Sequence, residues 1–172
     1  MRAKLLYMLL IPVIASRVYS FSPPQLFWPQ KDIEPSSVND SALEKKVLVA
    51  SRASDYKRAL IEKIKAAFSE DQVYVKCIGM KTLKKENTSA YNAIILLNTC
   101  MAWDWDRNIH AYLKGKTEAS NVIIITTSAD GKWKPRKNRA GVDAVATAST
   151  IDDVEKRAAE IVGKVRLILE KK

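Results

Sequence analysis

Small polar side chains lie directly after three apolar segments of the chain, at 47–50, 93–97 and 122–126, where they are suited to hold an anionic or polar ligand. Hydroxyl groups and backbone amides at the start of a helix suit a phosphate, and tryptophan side chains can flank a planar ring. The candidate ligand-binding residues are Ser51, Ser54, Asn98, Thr99, Trp103, Ser128, Asp130 and Trp133. The same loops also contain Asp55, Cys100, Met101 and Thr127.

The other reactive side chains give weaker signals. Cys100 lies near a predicted helix start, where a thiolate is stabilised, but no CxxC spacing accompanies it and a plain loop cysteine is the better interpretation. His110 is the single histidine, lies in the middle of a predicted helix and has no neighbouring partner for a triad or a metal site. Asp104 and Asp106 are best explained as helix caps. The sequence contains no Walker loop, Rossmann glycine set, zinc spacing or nucleophile elbow, so we predict neither a catalytic residue nor a metal site.

The chain has two cysteines, Cys77 and Cys100. Cys77 lies late in one predicted strand and Cys100 just after another, with a third strand expected between the two. Neighbouring strands are about 4.8 Å apart, so the gap exceeds the reach of a disulfide. We therefore expect a core thiol and a loop thiol, although the export inferred below would permit a disulfide.

Five strand-like segments alternate with helical ones from residue 45 onward, and such alternation predicts a doubly wound α/β fold with a parallel sheet. The segments that begin at 47, 93 and 122 are apolar throughout, as expected of central strands. Those that begin at 73 and 142 alternate between apolar and polar residues, as expected of edge strands. The five strands are therefore predicted in the order 2-1-3-4-5.

The helical spacing of apolar residues predicts helices over 56–68, 103–113 and 154–168. Ser54 or Asp55 can cap the first of them. In a parallel sheet the carboxyl ends of the strands meet at one edge, so the polar loops after the three apolar strands are expected to form one binding surface.

Three stretches resemble the ligand-side segments of flavodoxins. Residues 47–57 (VLVASRASDYK) resemble the first strand and phosphate loop, residues 92–103 resemble the third strand with its loop, and residues 122–133 resemble the fourth strand and the second flavin-side loop. The resemblance covers residues 45–172 and implies a flavodoxin-like fold for this domain. It also implies FMN as the ligand of these loops, with the two tryptophans named above flanking the flavin.

The phosphate loop departs from the flavodoxin pattern, which is a hydroxyl-rich turn with Gly-Asn-Thr before the helix. Ser54 takes the glycine position, Asp55 follows it, and Tyr56 replaces a small hydroxyl residue. A carboxylate at a phosphate site repels its ligand, by about 1–4 kcal/mol at roughly 4 Å between the charges. We therefore expect no cofactor and keep FMN as the alternative.

Residues 1–20 have the pattern of a secretory signal peptide. Arg2 and Lys4 precede an uncharged, mostly apolar run at 5–15, and small residues follow it. A membrane-spanning helix needs about 20 residues, and this run is shorter. We therefore predict that the signal peptide is cleaved and that the protein is exported to the periplasm or outside the cell. The alternative is an uncleaved N-terminus that anchors the protein to the membrane. A proline-rich linker is predicted over 21–44, before the flavodoxin-like domain.

The chain carries 29 Lys and Arg against 19 Asp and Glu, a formal net charge of +10. The excess is spread along the chain, whereas a nucleic-acid partner requires a dense basic face with interleaved aromatic residues, so we predict no nucleic-acid partner. The densest basic stretch is residues 132–139 (KWKPRKNR), which suits an anionic surface such as a membrane.

These features predict an exported flavodoxin-like domain that binds a small molecule or a protein partner and does not catalyse a reaction. The first alternative is an FMN-binding electron-transfer protein or reductase with an altered phosphate loop. The second alternative is a binding module for an anionic surface, which would use the basic stretch at 132–139.

Overall fold

In the residues that the structure describes, a mostly parallel sheet of six strands carries helices on both faces. The structure, a computed structural model, describes residues 30–100, 104–128, 131, 142–148 and 150–171. The strands are β1 (Ser36–Val38), β2 (Lys45–Ser51), β3 (Val73–Gly79), β4 (Ala93–Thr99), β5 (Val122–Ser128) and β6 (Asp143–Ala148). The helices are α1 (Asp55–Phe68), α2 (Arg107–Leu113) and α3 (Val154–Glu170), and short 3-10 helices lie at Met80–Lys85, Thr88–Ala90 and Ile151–Asp153.

The strand order is β1-β3-β2-β4-β5-β6, with β1 antiparallel to β3 and the other neighbours parallel. The α/β class and the parallel sheet agree with the sequence prediction, but the prediction of five strands is wrong. The added strand, β1, comes from the segment expected to be a linker, and because it pairs with β3, β3 is not an edge strand. Apolar and polar residues alternate in β3 because one of its faces is only half-buried. Lys76 lies on that face and forms an ion pair with Glu86 at 2.9 Å.

Two hydrophobic clusters fill the space between the sheet and its helices. β2, β4 and β5 direct alternate side chains into both clusters, which is why these strands are apolar along most of their length. The cluster under α1 and α3 includes Val49, Leu60 and Ile95, and the cluster under α2 includes Leu48, Leu96 and Ile109. α1 and α2 therefore pack on opposite faces of the sheet.

Residues 31–39, here called the N-terminal strap, run from the carboxyl edge of the sheet to its amino edge. At the carboxyl edge, the carbonyl of Lys31 accepts a hydrogen bond from the backbone N–H of Ala53 at 2.8 Å. At the amino edge, the side-chain amide of Asn39 donates to three backbone carbonyls at the end of α1 and the start of β3, at 2.7–2.9 Å. Asn39 has a φ of 63°, a left-handed conformation that asparagine adopts more readily than most residues. The strap is thus fixed at both ends.

Two helix starts are set by side-chain caps. The Ser54 hydroxyl accepts a hydrogen bond from the backbone N–H of Lys57 at 3.2 Å, so Ser54 rather than Asp55 caps α1. α2 begins at Arg107, four residues later than predicted, because Asp106 caps it and accepts a backbone hydrogen bond from its first turn at 2.8 Å.

The signal peptide predicted at 1–20, the first part of the predicted linker at 21–29 and the basic stretch at 132–139 lie outside the described residues. Within the part of the chain that is described, no helix combines the length and the apolar character needed to cross a membrane.

Candidate functional site

The carboxyl ends of β2 and β4 are neighbours in the sheet, and the chain leaves them toward opposite faces. β2 continues into α1 on the side of one hydrophobic cluster, and β4 is followed by α2 on the side of the other. Such a switch point is where open parallel sheets bind their ligands. Four predicted binding residues lie at this point, namely Ser51, Ser54, Asn98 and Thr99.

Lys57 distinguishes this edge of the sheet, because its side chain is buried. Only 1% of the residue is exposed, and its ammonium nitrogen donates a hydrogen bond to Thr99 Oγ1 at 2.5 Å. The helix enforces this burial, since Lys57 shares the inner face of α1 with Ile61 and Ile64, at the four- and seven-residue spacing of an α-helix. The side chain thereby reaches from the first turn of α1 to the end of β4.

Burial lowers the pKa of Lys57 from 10.5 to about 7, because it removes water from the ammonium group. The Asp106 carboxylate raises this pKa and the Arg52 guanidinium lowers it, so the two neighbours act in opposite directions. Near neutral pH the amine therefore exists in charged and neutral forms. A lysine of this kind can hold an anion when it is protonated, and shifts of this size occur preferentially at functional sites.

Arg52 forms ion pairs with two carboxylates at the same edge. Its Nη1 lies 2.8 Å from Asp32 Oδ1, its Nη2 lies 2.8 Å from Asp106 Oδ2, and its Nε donates to the latter oxygen at 2.9 Å. The side chains of Arg52 and Asp106 are each 12% exposed, so little water screens their interaction. This Arg52 triad, formed by Asp32, Arg52 and Asp106, joins the N-terminal strap, the loop after β2 and the start of α2.

Asp106 remains ionised in this setting. Burial by itself would raise the pKa of its carboxyl group, but hydrogen bonds from Arg52 and from the backbone and side chain of Asn108 hold that pKa below its usual range. Both carboxylate oxygens therefore accept hydrogen bonds that hold the loop after β2 to the start of α2.

Asn98 connects the end of β4 to its two neighbouring segments. Its Oδ1 accepts a hydrogen bond from the backbone N–H of Asp106 at 2.9 Å, and its Nδ2 donates to Thr126 Oγ1 at 3.3 Å. The Thr127 hydroxyl donates to the backbone carbonyl of Asn98 at 3.1 Å. The start of α2 and the end of β5 are therefore held to the end of β4, and Asp106 is positioned through both its backbone and its carboxylate.

The serines among the predicted binding residues have partners of their own or lie elsewhere. Ser51 is buried at the end of β2, and its hydroxyl donates to the carbonyl of Arg52 at 2.8 Å. The Ser54 hydroxyl is engaged in capping α1, and Ser128 is half-buried at the end of β5. The residues Met101, Trp103, Asp130 and Trp133 lie outside those that the structure describes.

Cys77 and His110 have partners other than the residues of this arrangement. Cys77 is a free thiol in the core, so it is not joined to Cys100, and burial raises its pKa to about 11 although a hydrogen bond with Ser36 opposes the shift. His110 is exposed, with its Nε2 2.8 Å from a carboxylate oxygen of Asp104. In the described ranges, no three His, Cys, Asp or Glu side chains are grouped so as to hold a metal ion.

Sequence reasoning did not single out Lys57, Arg52 or Asp32, and it interpreted Asp106 only as a helix cap. A signal for Lys57 was nevertheless present, because the lysine is in phase with the buried residues of α1, where lysines normally face water. Asp32 gave no such signal, since its position depends on a strap that contains a strand of only three residues.

Comparison with known proteins identifies the fold but no family. No family model matches the chain, and no curated protein matches it in sequence. An oxidoreductase from Corynebacterium diphtheriae aligns over 76% of this chain and 100% of its own, with 13% identity and a TM-score of 0.56. The Flv1 flavodiiron core from Synechocystis aligns over 76% of this chain and 38% of its own, with 13% identity and a TM-score of 0.52. A flavodoxin from the domain Archaea aligns over 72% of this chain and 98% of its own, with 12% identity and a TM-score of 0.52. The chain therefore shares the flavodoxin-like α/β fold.

The buried charge of Lys57 is expected to lower the stability of the folded protein. Its pKa is lower in the folded state than in the unfolded chain, so the unfolded chain binds more protons between about pH 7 and 10.5 and stability rises with pH over that window. The destabilisation is complete below pH 7. Lys57→Met is therefore expected to be more stable than the wild type at pH 6.5 by about 2–4 kcal/mol, with a smaller difference at pH 9.5. Urea unfolding at the two pH values measures both free energies.

Lys63→Met is the matched control for this comparison. Lys63 lies on the outer face of α1, its side chain is 50% exposed, and it forms an ion pair with Glu155. Its substitution is expected to change the free energy of unfolding by less than about 0.5 kcal/mol at either pH. If Lys57→Met is no more stable than the wild type at pH 6.5, Lys57 contributes to folding, and its burial then does not indicate a binding role.

Proposed function

We propose that this domain binds a small anionic molecule at the carboxyl ends of β2 and β4, and that it acts by binding and not by catalysis. The observation that carries the proposal is the burial of the Lys57 ammonium group at this switch point, where only 1% of the residue is exposed. A buried charge is not explained by stability, because an apolar residue of similar size usually stabilises a core as well or better. Its presence at the ligand-binding edge of this fold is explained by a negatively charged ligand.

The ammonium group has the hydrogen-bonding capacity that an anion requires. It carries three N–H donors, and the described contacts of Lys57 account for one of them, directed to Thr99. The first turn of α1 supplies backbone N–H groups and the positive end of the helix dipole. Lys57 and the first turn of α1 thus provide several hydrogen-bond donors for an anion.

The Asp106 carboxylate of the Arg52 triad is suited to positioning and not to acid–base catalysis. Arg52 is held by two carboxylates, and Asp106 accepts hydrogen bonds from Arg52 and Asn108. General acid–base catalysis requires a group that can exchange a proton with the substrate near the working pH. A carboxylate whose pKa is held below its usual range by several donors does not meet this requirement, and we assign it the positioning of the loops.

The second candidate function is FMN-dependent electron transfer, which is favoured by the flavodoxin-like fold. Two features of the loop oppose it. The Ser54 hydroxyl is engaged in capping α1, and Asp55 adds a carboxylate at the first turn of the helix, with 91% of its side chain exposed and one oxygen 2.6 Å from Arg58. A negative charge at this place repels a phosphate monoester.

Anion binding is testable with methyl sulfate, a monoanion that does not titrate between pH 5 and 9. The wild type is expected to bind it about ten-fold more tightly at pH 6 than at pH 8.5, because Lys57, with a pKa of about 7, is mostly protonated only at the lower pH. Lys57→Met is expected to lose at least about ten-fold of the affinity at pH 6, and Lys63→Met to retain it. NMR titration of the backbone amides of residues 51–57 and 98–99 measures the dissociation constants. Equal titration of the wild type and Lys57→Met would refute the proposal.

FMN and riboflavin distinguish the two candidate functions. The purified protein is expected to be colourless, and low-micromolar protein is expected to leave the fluorescence of both flavins unchanged, since Asp55 opposes the phosphate of FMN. Quenching of FMN but not of riboflavin would show a working phosphate loop and would favour the electron-transfer alternative. Asp55→Asn is the informative variant, because it removes the repulsion and leaves the rest of the loop intact.

A further inference from the structure

An acidic residue outside the loops that form the candidate site lies against Arg52. Asp32 belongs to the N-terminal strap, yet its backbone forms an antiparallel β-bridge with Arg52 and its Oδ1 lies 2.8 Å from Arg52 Nη1. Its second carboxylate oxygen accepts a hydrogen bond from the backbone N–H of Lys81 at 3.1 Å. Backbone and side chain together therefore fix this carboxylate against the guanidinium group.

Gly79, at the end of β3, makes room for Asp32. A Cβ atom at this position would lie 2.6 Å from Asp32 Cβ and 2.7 Å from Asp32 Oδ2, closer than real side chains approach one another. The φ angle of Gly79 is −67°, which any residue can adopt, so the requirement for glycine is spatial. A side chain at 79 would displace the Asp32 carboxylate from its place beside Arg52.

The four charged side chains brought together here sum to zero when Lys57 is protonated, since Arg52 and Lys57 are opposed by Asp32 and Asp106. Their exposure is low, between 1% for the residue Lys57 and 21% for the side chain of Asp32. In a partly buried site each uncompensated charge is costly. A singly charged ligand leaves a net charge of one, and a doubly charged ligand leaves a net charge of two.

We propose that the N-terminal strap sets the ligand preference of the site, because Asp32 and Asp106 together offset the charges of Arg52 and protonated Lys57, so that a singly charged anionic group leaves less uncompensated charge than a doubly charged one. This inference rests on the proposed function. The ligand class is then a carboxylate or a phosphodiester, rather than a phosphate monoester that carries two charges. Asp32 is a positioning and charge-setting residue in this account, and Lys57 is the residue that contacts the anion.

Sulfate and methyl sulfate test this inference, because both present sulfur-bound oxygens that accept hydrogen bonds and they differ by one unit of charge. At pH 6 the wild type is expected to bind methyl sulfate at least as tightly as sulfate. Asp32→Asn removes the negative charge and keeps one oxygen, which can accept the hydrogen bond from either Lys81 or Arg52. It is expected to tighten binding of methyl sulfate about two-fold and of sulfate about four-fold, since the electrostatic gain is proportional to ligand charge.

Gly79→Ala provides a second, steric route to the same change, because the new methyl group displaces Asp32 without altering any charged residue. It is expected to shift the preference toward sulfate in the same direction as Asp32→Asn. NMR titration of the amides of residues 51–57 measures both anions in every variant, and Lys63→Met serves as the control that retains wild-type affinities. A change confined to structure would alter both affinities by the same factor, whereas the inference requires the ratio to change.

The outcomes separate this inference from the proposed function. A wild type that prefers sulfate, or an Asp32→Asn variant with an unchanged ratio while Lys57→Met abolishes binding, would overturn the inference and leave the anion site standing. Lys57→Met that binds both anions as the wild type does would overturn the proposed function and the inference together. A raised ratio in Asp32→Asn, with loss of both anions in Lys57→Met, supports both.

Discussion

An ammonium group buried in the first turn of α1 constrains everything around it, because a charge without water needs hydrogen-bond acceptors and opposite charges close by. Thr99 supplies the acceptor, from the end of the neighbouring strand β4. Asp106 supplies the opposite charge, but it is shared with Arg52 and acts on Lys57 at a distance. Burial removes water from the ammonium group and Asp106 offsets this only in part, so the pKa of Lys57 falls to about 7. A residue in this condition is suited to receive a further negative charge.

The rest of the carboxyl edge serves to keep this partly compensated charge in place. Asn98 holds the backbone of Asp106, and the two threonines of β5 hold Asn98, so the start of α2 cannot shift relative to the end of β4 without breaking several hydrogen bonds. On the other side, the N-terminal strap fixes Arg52 through Asp32. The strap is itself anchored at the far end of the sheet by Asn39, so the geometry of the site depends on a segment that spans the whole domain.

The elements of the fold were predictable where their signal is local. Continuous apolar runs marked β2, β4 and β5 as central strands, and the 3.6-residue spacing marked α1 and α3. β1 was missed because a strand of three residues, with a burial pattern that leaves it mostly exposed, has no periodicity to detect, and its pairing with β3 is a long-range contact. α2 starts later than predicted because Asp106 is its N-cap. Trp105, which precedes the cap, is buried in the core and so extends the apolar spacing beyond the helix itself.

The candidate site was predictable in place but not in chemistry. Parallel strands with polar residues at their carboxyl ends indicated the switch point, and Ser51, Ser54, Asn98 and Thr99 lie there. The expectation that hydroxyl groups would face the ligand did not anticipate that Ser51 and Ser54 would be engaged by the backbone. The charged residues followed from tertiary contacts, since Asp32, Arg52 and Asp106 are separated by 20 and 54 residues in the chain and meet only in the fold.

The ionisation of Lys57 in the presence and absence of an anion shows whether its buried ammonium group binds a negative charge. NMR of protein labelled with ¹³C and ¹⁵N in its lysines can follow the Lys57 side chain from pH 5 to pH 11, first alone and then with saturating methyl sulfate. We expect a midpoint near 7 for the protein alone and a higher midpoint with the anion, because a bound negative charge favours the ammonium form. A midpoint near the ordinary value of 10.5, unchanged by the anion, would contradict both the burial of the charge and the anion site built around it.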